Sequence, residues 1–143
     1  MKREEFLKTC GFACLGGSLL GVFLEGCVSG GKSVEGAIDQ SDLVIPVAAF
    51  QHKDGFRKYV VVQHEKLKYP VCVYRFGESE YTALLMRCPH QGAELQVFGS
   101  RLQCPAHGSE FDDKGVVKNG PADVNLRTFP VIEHNHQLYI SLR

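Results

Sequence analysis

Two short segments hold most of the chemistry in this sequence: C-P-H-Q-G-A at Cys88 to Ala93, and C-P-A-H-G-S at Cys104 to Ser109. Each offers one thiol and one imidazole, Cys88 with His90 and Cys104 with His107. Two soft thiolates and two borderline nitrogens can bind a single Zn²⁺ as a Cys₂His₂ site, or each pair can hold one end of a binuclear iron cluster. Spacing alone leaves both open. Pro89 and Pro105 follow the two cysteines, and Gly92 and Gly108 lie close behind the histidines. Proline fixes φ and glycine lets main-chain N–H groups turn inward, where the weak sulfur acceptors of a cluster need more donors than a filled zinc tetrahedron does. Ser109 adds a hydroxyl at the same lip.

The elements that must position these loops read as strands. Residues 91–103 between the loops are long enough for a hairpin that sets them side by side. Outside them, short β-prone runs alternate with turn signals: L-V-I-P-V-A-A-F at 43–50, F-R-K-Y-V-V-V-Q at 56–63, P-V-C-V-Y-R-F at 70–76 and E-Y-T-A-L-L-M at 80–86. The pattern resumes with L-R-T-F-P-V-I at 126–132 and L-Y-I-S-L at 138–142, and no stretch sustains a helical period. Asp54-Gly55 marks a tight hairpin that uses positive φ. The expected fold class is all-β, an antiparallel sandwich or small barrel.

With both loops in view, the sequence resembles the Rieske [2Fe–2S] proteins, which carry C-x-H and C-x-x-H on two β-loops. G-P-A-D-V-N-L at Gly120 to Leu126 resembles that family's proline loop, so the likeness runs over roughly residues 43–143. It implies a Rieske-like antiparallel β-sandwich with a small cluster-binding subdomain. It also implies one [2Fe–2S] cluster, with Cys88 and Cys104 on the inner iron, His90 and His107 on the outer iron, and Ser109 hydrogen-bonded to a cluster sulfide. The implied role is to relay single electrons without bond-making chemistry. Two imidazoles in place of two thiolates make an added electron less costly, and the range for such centres is about −150 to +300 mV, against about −400 mV for plant-type ferredoxins.

Departures from the family's quinol-oxidising branch are visible as well. Ala93 and Ala106 stand where that branch has two disulfide-linked cysteines, Phe111 where it has a tyrosine, and Gln91 where it has an apolar tip residue. Loss of the tyrosine hydroxyl lowers the expected potential and Ser109 opposes that, giving an intermediate value.

The other candidates have plainer readings. Cys72, alternating in V-C-V-Y, reads as a small buried hydrophobe. His134 and His136 flank Asn135 in a hairpin turn, and His52, His64 and the charges of 63–68 read as solvated turns.

The chain has 143 residues, 44% of them hydrophobic, with 16 Lys+Arg against 16 Asp+Glu. That length bounds it to one domain with extensions, and a formal charge of zero provides no long-range field for nucleic acid. The N-terminus reads as an export segment over 1–27: polar K-R-E-E-F-L-K at 2–8, then an uncharged apolar run at 11–24 too short for a span of about 20 residues. L-E-G-C at Leu24 to Cys27 resembles the lipobox of bacterial lipoproteins, which would make Cys27 the acylated residue, with Glu25 a departure from it. The start resembles a twin-arginine signal, with Glu4 in place of the second Arg. Cys10 and Cys14 fall within the signal. Residues 28–42 are small and polar and read as a flexible linker with a reach of about 20 Å.

These features lead to the expectation of an exported Rieske protein, membrane-anchored on the periplasmic or extracytoplasmic side of a bacterial cell. Its expected partners are cytochrome b or c type proteins or another oxidoreductase subunit, and quinol, with no nucleic acid. The alternatives are a Rieske ferredoxin serving an oxygenase, and an interaction module stapled by zinc.

Overall fold

In the computed structural model of the chain, residues 31–143 are described; the export segment, Cys10, Cys14 and Cys27 lie outside them. The chain begins with β1 (Gly31–Glu35), β2 (Ala37–Asp39) and β3 (Asp42–Pro46), followed by one 3₁₀ turn (Val47–Phe50). A small hairpin, β4 (Gln51–His52) and β5 (Gly55–Phe56), leads into β6 (Tyr59–Gln63), β7 (Val71–Arg75) and β8 (Tyr81–Leu85). Next come β9 (Gln96–Phe98), β10 (Arg101–Gln103), β11 (Glu110–Asp112) and β12 (Val117–Asn119), then β13 (Thr128–Phe129), β14 (Val131–His134) and β15 (Gln137–Ser141).

These strands form three main sheets, ordered β1-β6-β7-β8-β13, β14-β15-β3-β2 and β12-β11-β10-β9, with β4-β5 apart. The fold is all-β, as expected. The first sheet is the middle layer, and the side-chain alternation of its strands assigns each residue to one of two cores. Val60, Val62, Val71, Val73 and Ala83 join Leu43, Ile45, Phe50, Leu138 and Ile140 on one face. Tyr59, Cys72, Tyr74, Leu84 and Met86 join Leu95, Leu102, Phe111, Ala122 and Leu126 on the other. Burial on both faces is why V-C-V-Y reads as a nearly continuous apolar run rather than a clean alternation. The second core contains Cys88 and Cys104, so the base sheet directly supports the small sheet that carries the two loops.

The linker expected over 28–42 is corrected for residues 31–42. β1 pairs in parallel with β6, Gly31 opposite Tyr59 through Glu35 opposite Gln63, and β2 pairs antiparallel with β3. The first of these is a parallel pair in a fold expected to be antiparallel throughout. Gly36 is the corner between the two sheets, its N–H bonded to the Gln63 carbonyl at 2.9 Å. A Cβ there would lie 2.6 Å from Leu43 Cδ1 and 2.8 Å from Val62 Cγ1, so this glycine serves close packing rather than flexibility.

The run at 126–132 is interrupted at Pro130, which separates β13 from β14 in different sheets. Asn135 and His136 take positive φ in the β14–β15 hairpin, the turn expected there. The earlier hairpin turns at Lys53-Asp54, with Gly55 at φ 130 already opposite His52, one residue from its expected place.

Candidate metal centre

The two Cys-His segments fold into loops built to one hydrogen-bond plan. In the first, the Cys88 N–H donates to the Ala93 carbonyl at 2.8 Å and the Gly92 N–H to the Cys88 carbonyl at 2.8 Å. In the second, the Cys104 N–H donates to the Ser109 carbonyl at 2.8 Å and the Gly108 N–H to the Cys104 carbonyl at 2.9 Å. The fifth residue of each loop has left-handed φ, 76° at Gly92 and 80° at Gly108, which explains a glycine at both places. The plan differs only in where the imidazole sits, third in one loop and fourth in the other.

The second loop is the turn of the β10–β11 hairpin, so the strand ladder holds both its ends. The first runs from the end of β8 toward β9, closed by a single bridge between Arg87 and Glu94. The β9–β10 hairpin sets the two loops together, as the length of 91–103 implied. Tyr74 of the base sheet donates its hydroxyl hydrogen to the Gly99 carbonyl at the tip of that hairpin, 3.0 Å away.

The donors are segregated by depth. Cys88 is 1% exposed and Cys104 3%, both without a disulfide, while His90 and His107 are exposed. The two imidazoles stand edge to face with centroids 5.3 Å apart and planes at 89°. Among the described residues no three His, Cys, Asp or Glu groups converge as they would around one metal ion. Four donors split into a buried thiol pair and an exposed imidazole pair fit two metals in line better than the single tetrahedral zinc of a Cys₂His₂ staple.

A third segment covers the second loop. Ser109 is wholly buried, and its Oγ accepts a hydrogen bond from the Ala122 N–H at 3.0 Å. Residues 120–126 contain a cis Gly120-Pro121 bond and are fixed at their far end by the Leu126 N–H to the Gly115 carbonyl at 2.9 Å. The Asn125 carboxamide oxygen accepts from the Val117 N–H at 3.0 Å. With one lone pair of Ser109 Oγ engaged by Ala122, its own hydrogen remains to be donated.

The remaining candidates stay away from this centre. Cys72 is fully buried in the second core, and burial pushes its thiol well above the usual range, with Tyr74 beside it. His134 and His136 are exposed around their turn, His52 lies in β4, and His64 Nδ1 accepts from the Lys66 N–H at 3.1 Å within its own turn. Phe111 is fully buried and, like Ala93 and Ala106, brings no polar group to the loops. Sequence reasoning missed Tyr69, whose hydroxyl donates to the Gly92 carbonyl at 2.7 Å, and Ala122 as the partner of Ser109. Those partners are 23 and 13 positions away, so no local pattern signals them.

Comparison with known proteins points to one family. The oxygenase component of dicamba O-demethylase from Stenotrophomonas maltophilia is 37% identical over 81 residues, 50% of this chain and 24% of that protein. The chain thus spans about a quarter of that relative's length. A cytochrome b6-f complex iron-sulfur subunit from Trichodesmium erythraeum is 26% identical over 148 residues, 88% of this chain and 76% of that one. Among solved structures, a chain from the complex of reduced oxygenase and oxidized ferredoxin in carbazole 1,9a-dioxygenase superposes with TM-score 0.54 at 25% identity. The match covers 73% of this chain and 95% of that one. Residues 42–130, which contain both loops, strands β6, β7, β8 and β13 of the base sheet and the covering segment, match the Rieske [2Fe-2S] domain. The chain belongs to the Rieske [2Fe–2S] family of electron-transfer domains.

Proposed function

We propose that this protein is a one-electron carrier in which Cys88 and Cys104 hold the inner iron of the [2Fe–2S] cluster and His90 and His107 the outer iron. The observation that carries this reading is the depth split, with two thiols at 1% and 3% exposure behind two exposed imidazoles. A bound cluster supplies one-electron redox chemistry. The chain's own groups do the rest. Leu95, Leu102, Phe111 and Ala122 keep water from the thiolates, and the imidazole edges present the shortest path to a docked partner. Ser109, oriented by Ala122, would donate its hydroxyl hydrogen to a sulfide of the bound cluster. The direct test is metal and acid-labile sulfide content of aerobically purified protein: two irons and two sulfides are expected, and one zinc without sulfide would overturn the assignment.

We further propose that the chain is exported, tethered through an acylated Cys27, and passes electrons within a quinol-oxidising respiratory chain to a cytochrome-type partner. The N-terminal pattern supports this, as does the likeness to a b6-f complex subunit over most of both chains. Among the described residues no helix is long and apolar enough to cross a membrane. A second reading, a carrier serving an oxygenase, is favoured by the superposition on a chain of the carbazole dioxygenase complex. Fractionation separates them: the parent is expected with membranes and Cys27→Ser in the soluble fraction. A soluble parent would favour the second reading.

A further inference from the structure

Tyr69 lies in the β6–β7 loop, outside every element that carries a candidate ligand, yet it reaches the first metal loop directly. Its hydroxyl donates to the Gly92 carbonyl at 2.7 Å. The ring is flanked by two cations, the Lys68 ammonium 5.6 Å and the Arg87 guanidinium 5.9 Å from its centroid. Arg87 immediately precedes Cys88, and its Nε and Nη2 lie 3.5 Å from where a Gly92 Cβ would be. Ring, guanidinium and glycine therefore form one packed group at the base of the first loop.

The two loops differ in how they are held. Strands β10 and β11 grip both ends of the second, and Ser109 joins it to residues 120–126. Gly108, the counterpart of Gly92, has nothing within 4 Å of its Cβ position. The first loop has one bridge at its neck and, beyond that, Tyr69. No disulfide joins the loops among the described residues.

We infer that Tyr69 is a positioning residue for the metal centre, the clamp by which the base sheet fixes the loop carrying Cys88 and His90. This rests on the assignment of those two residues as ligands. Removing only the hydroxyl should free the first loop and leave the second as it was.

The test compares the cluster-loaded parent with Tyr69→Phe, and with Tyr139→Phe as a control whose hydroxyl meets only Gln137. Hydrogen exchange of the peptide around Gly92 is expected to rise about fivefold in Tyr69→Phe, the factor for a hydrogen bond of ~1 kcal/mol. The equivalent peptide around Gly108 should keep its parental rate. Bleaching of the cluster by a chelator is expected to speed up by a similar factor, and the electron paramagnetic resonance of the reduced state to broaden. Tyr139→Phe should change none of these. Equal exchange at Gly92 in parent and variant, or equal acceleration in both loops, would overturn the clamp while leaving a coloured parent and its ligand assignment intact. A colourless parent would overturn the assignment and the clamp with it.

Discussion

Ser109 shows how much of the centre depends on single side chains. Its hydroxyl is fully buried and is the acceptor for the Ala122 N–H. A buried amide left without a partner costs about 1–3 kcal/mol, so Ser109→Ala should lower stability by that order and loosen residues 120–126. The hydroxyl hydrogen, if donated to a sulfide of the bound cluster, would favour the more negative reduced state. Ser109→Ala should therefore retain its iron but titrate at a lower midpoint potential, by about 40 mV for each ~1 kcal/mol of lost differential bonding. A redox titration giving the parental midpoint would mean that the hydroxyl serves only Ala122. Cys88, His90, Cys104, His107 and Ser109 were readable as candidates because their chemistry is compressed into two six-residue segments. Tyr69 and Ala122 were not, because a tyrosine before Pro70 and an alanine after Pro121 acquire their roles only when the chain returns on itself.

At the scale of elements, the middle strands were readable where β-branched and aromatic residues run together, as in β6, β7 and β8. The N-terminal strands were not. G-K-S-V-E-G-A-I-D looks like a coil because its residues are small or charged, and what holds it is pairing with β6 and β3, which composition does not reveal. Gly36 tests this. Its Cβ would overlap Leu43 and Val62 in the first core, and overpacking costs about 1–3 kcal/mol. Gly36→Val should lower the thermal midpoint by several degrees, whereas an unchanged midpoint would mean that residues 31–39 hang free in solution.

Asp112 closes the β11–β12 turn, its Oδ1 accepting from the Lys114 N–H at 3.0 Å and the Val116 N–H at 2.9 Å. Burial alone would raise its carboxyl, but those two donors and Lys118 outweigh it and hold the group below the usual carboxylate range. A lowered folded value contributes stability above the unfolded value and loses it as pH falls through the folded one. Asp112→Asn keeps the oxygen acceptor without the titration, so in urea unfolding it should lose less stability than the parent between pH 5 and pH 3. Equal losses would remove Asp112 from the acid response.

Across the whole molecule, the fold is a chain of supports that runs from core to surface. One face of the base sheet packs against β3 and β15, and the other carries the small sheet and the buried cysteines, leaving the imidazoles outermost. Because β1 is already part of that body, a tether at Cys27 would have only residues 28–30 between it and the first strand, a span from Cys27 to Gly31 of at most about 14 Å. If Cys27 carries the proposed acyl group, that short span leaves the head less swing than a fifteen-residue coil would.

All of this depends on the pairing of two thiolates with one iron and two imidazoles with the other, and electron paramagnetic resonance of the reduced protein during a redox titration at several pH values tests that pairing most directly. The expected result is a single mixed-ligand [2Fe–2S] signal with a midpoint well above the about −400 mV of all-thiolate ferredoxins. A midpoint near the all-thiolate value, or no signal from fully matured protein, would contradict it.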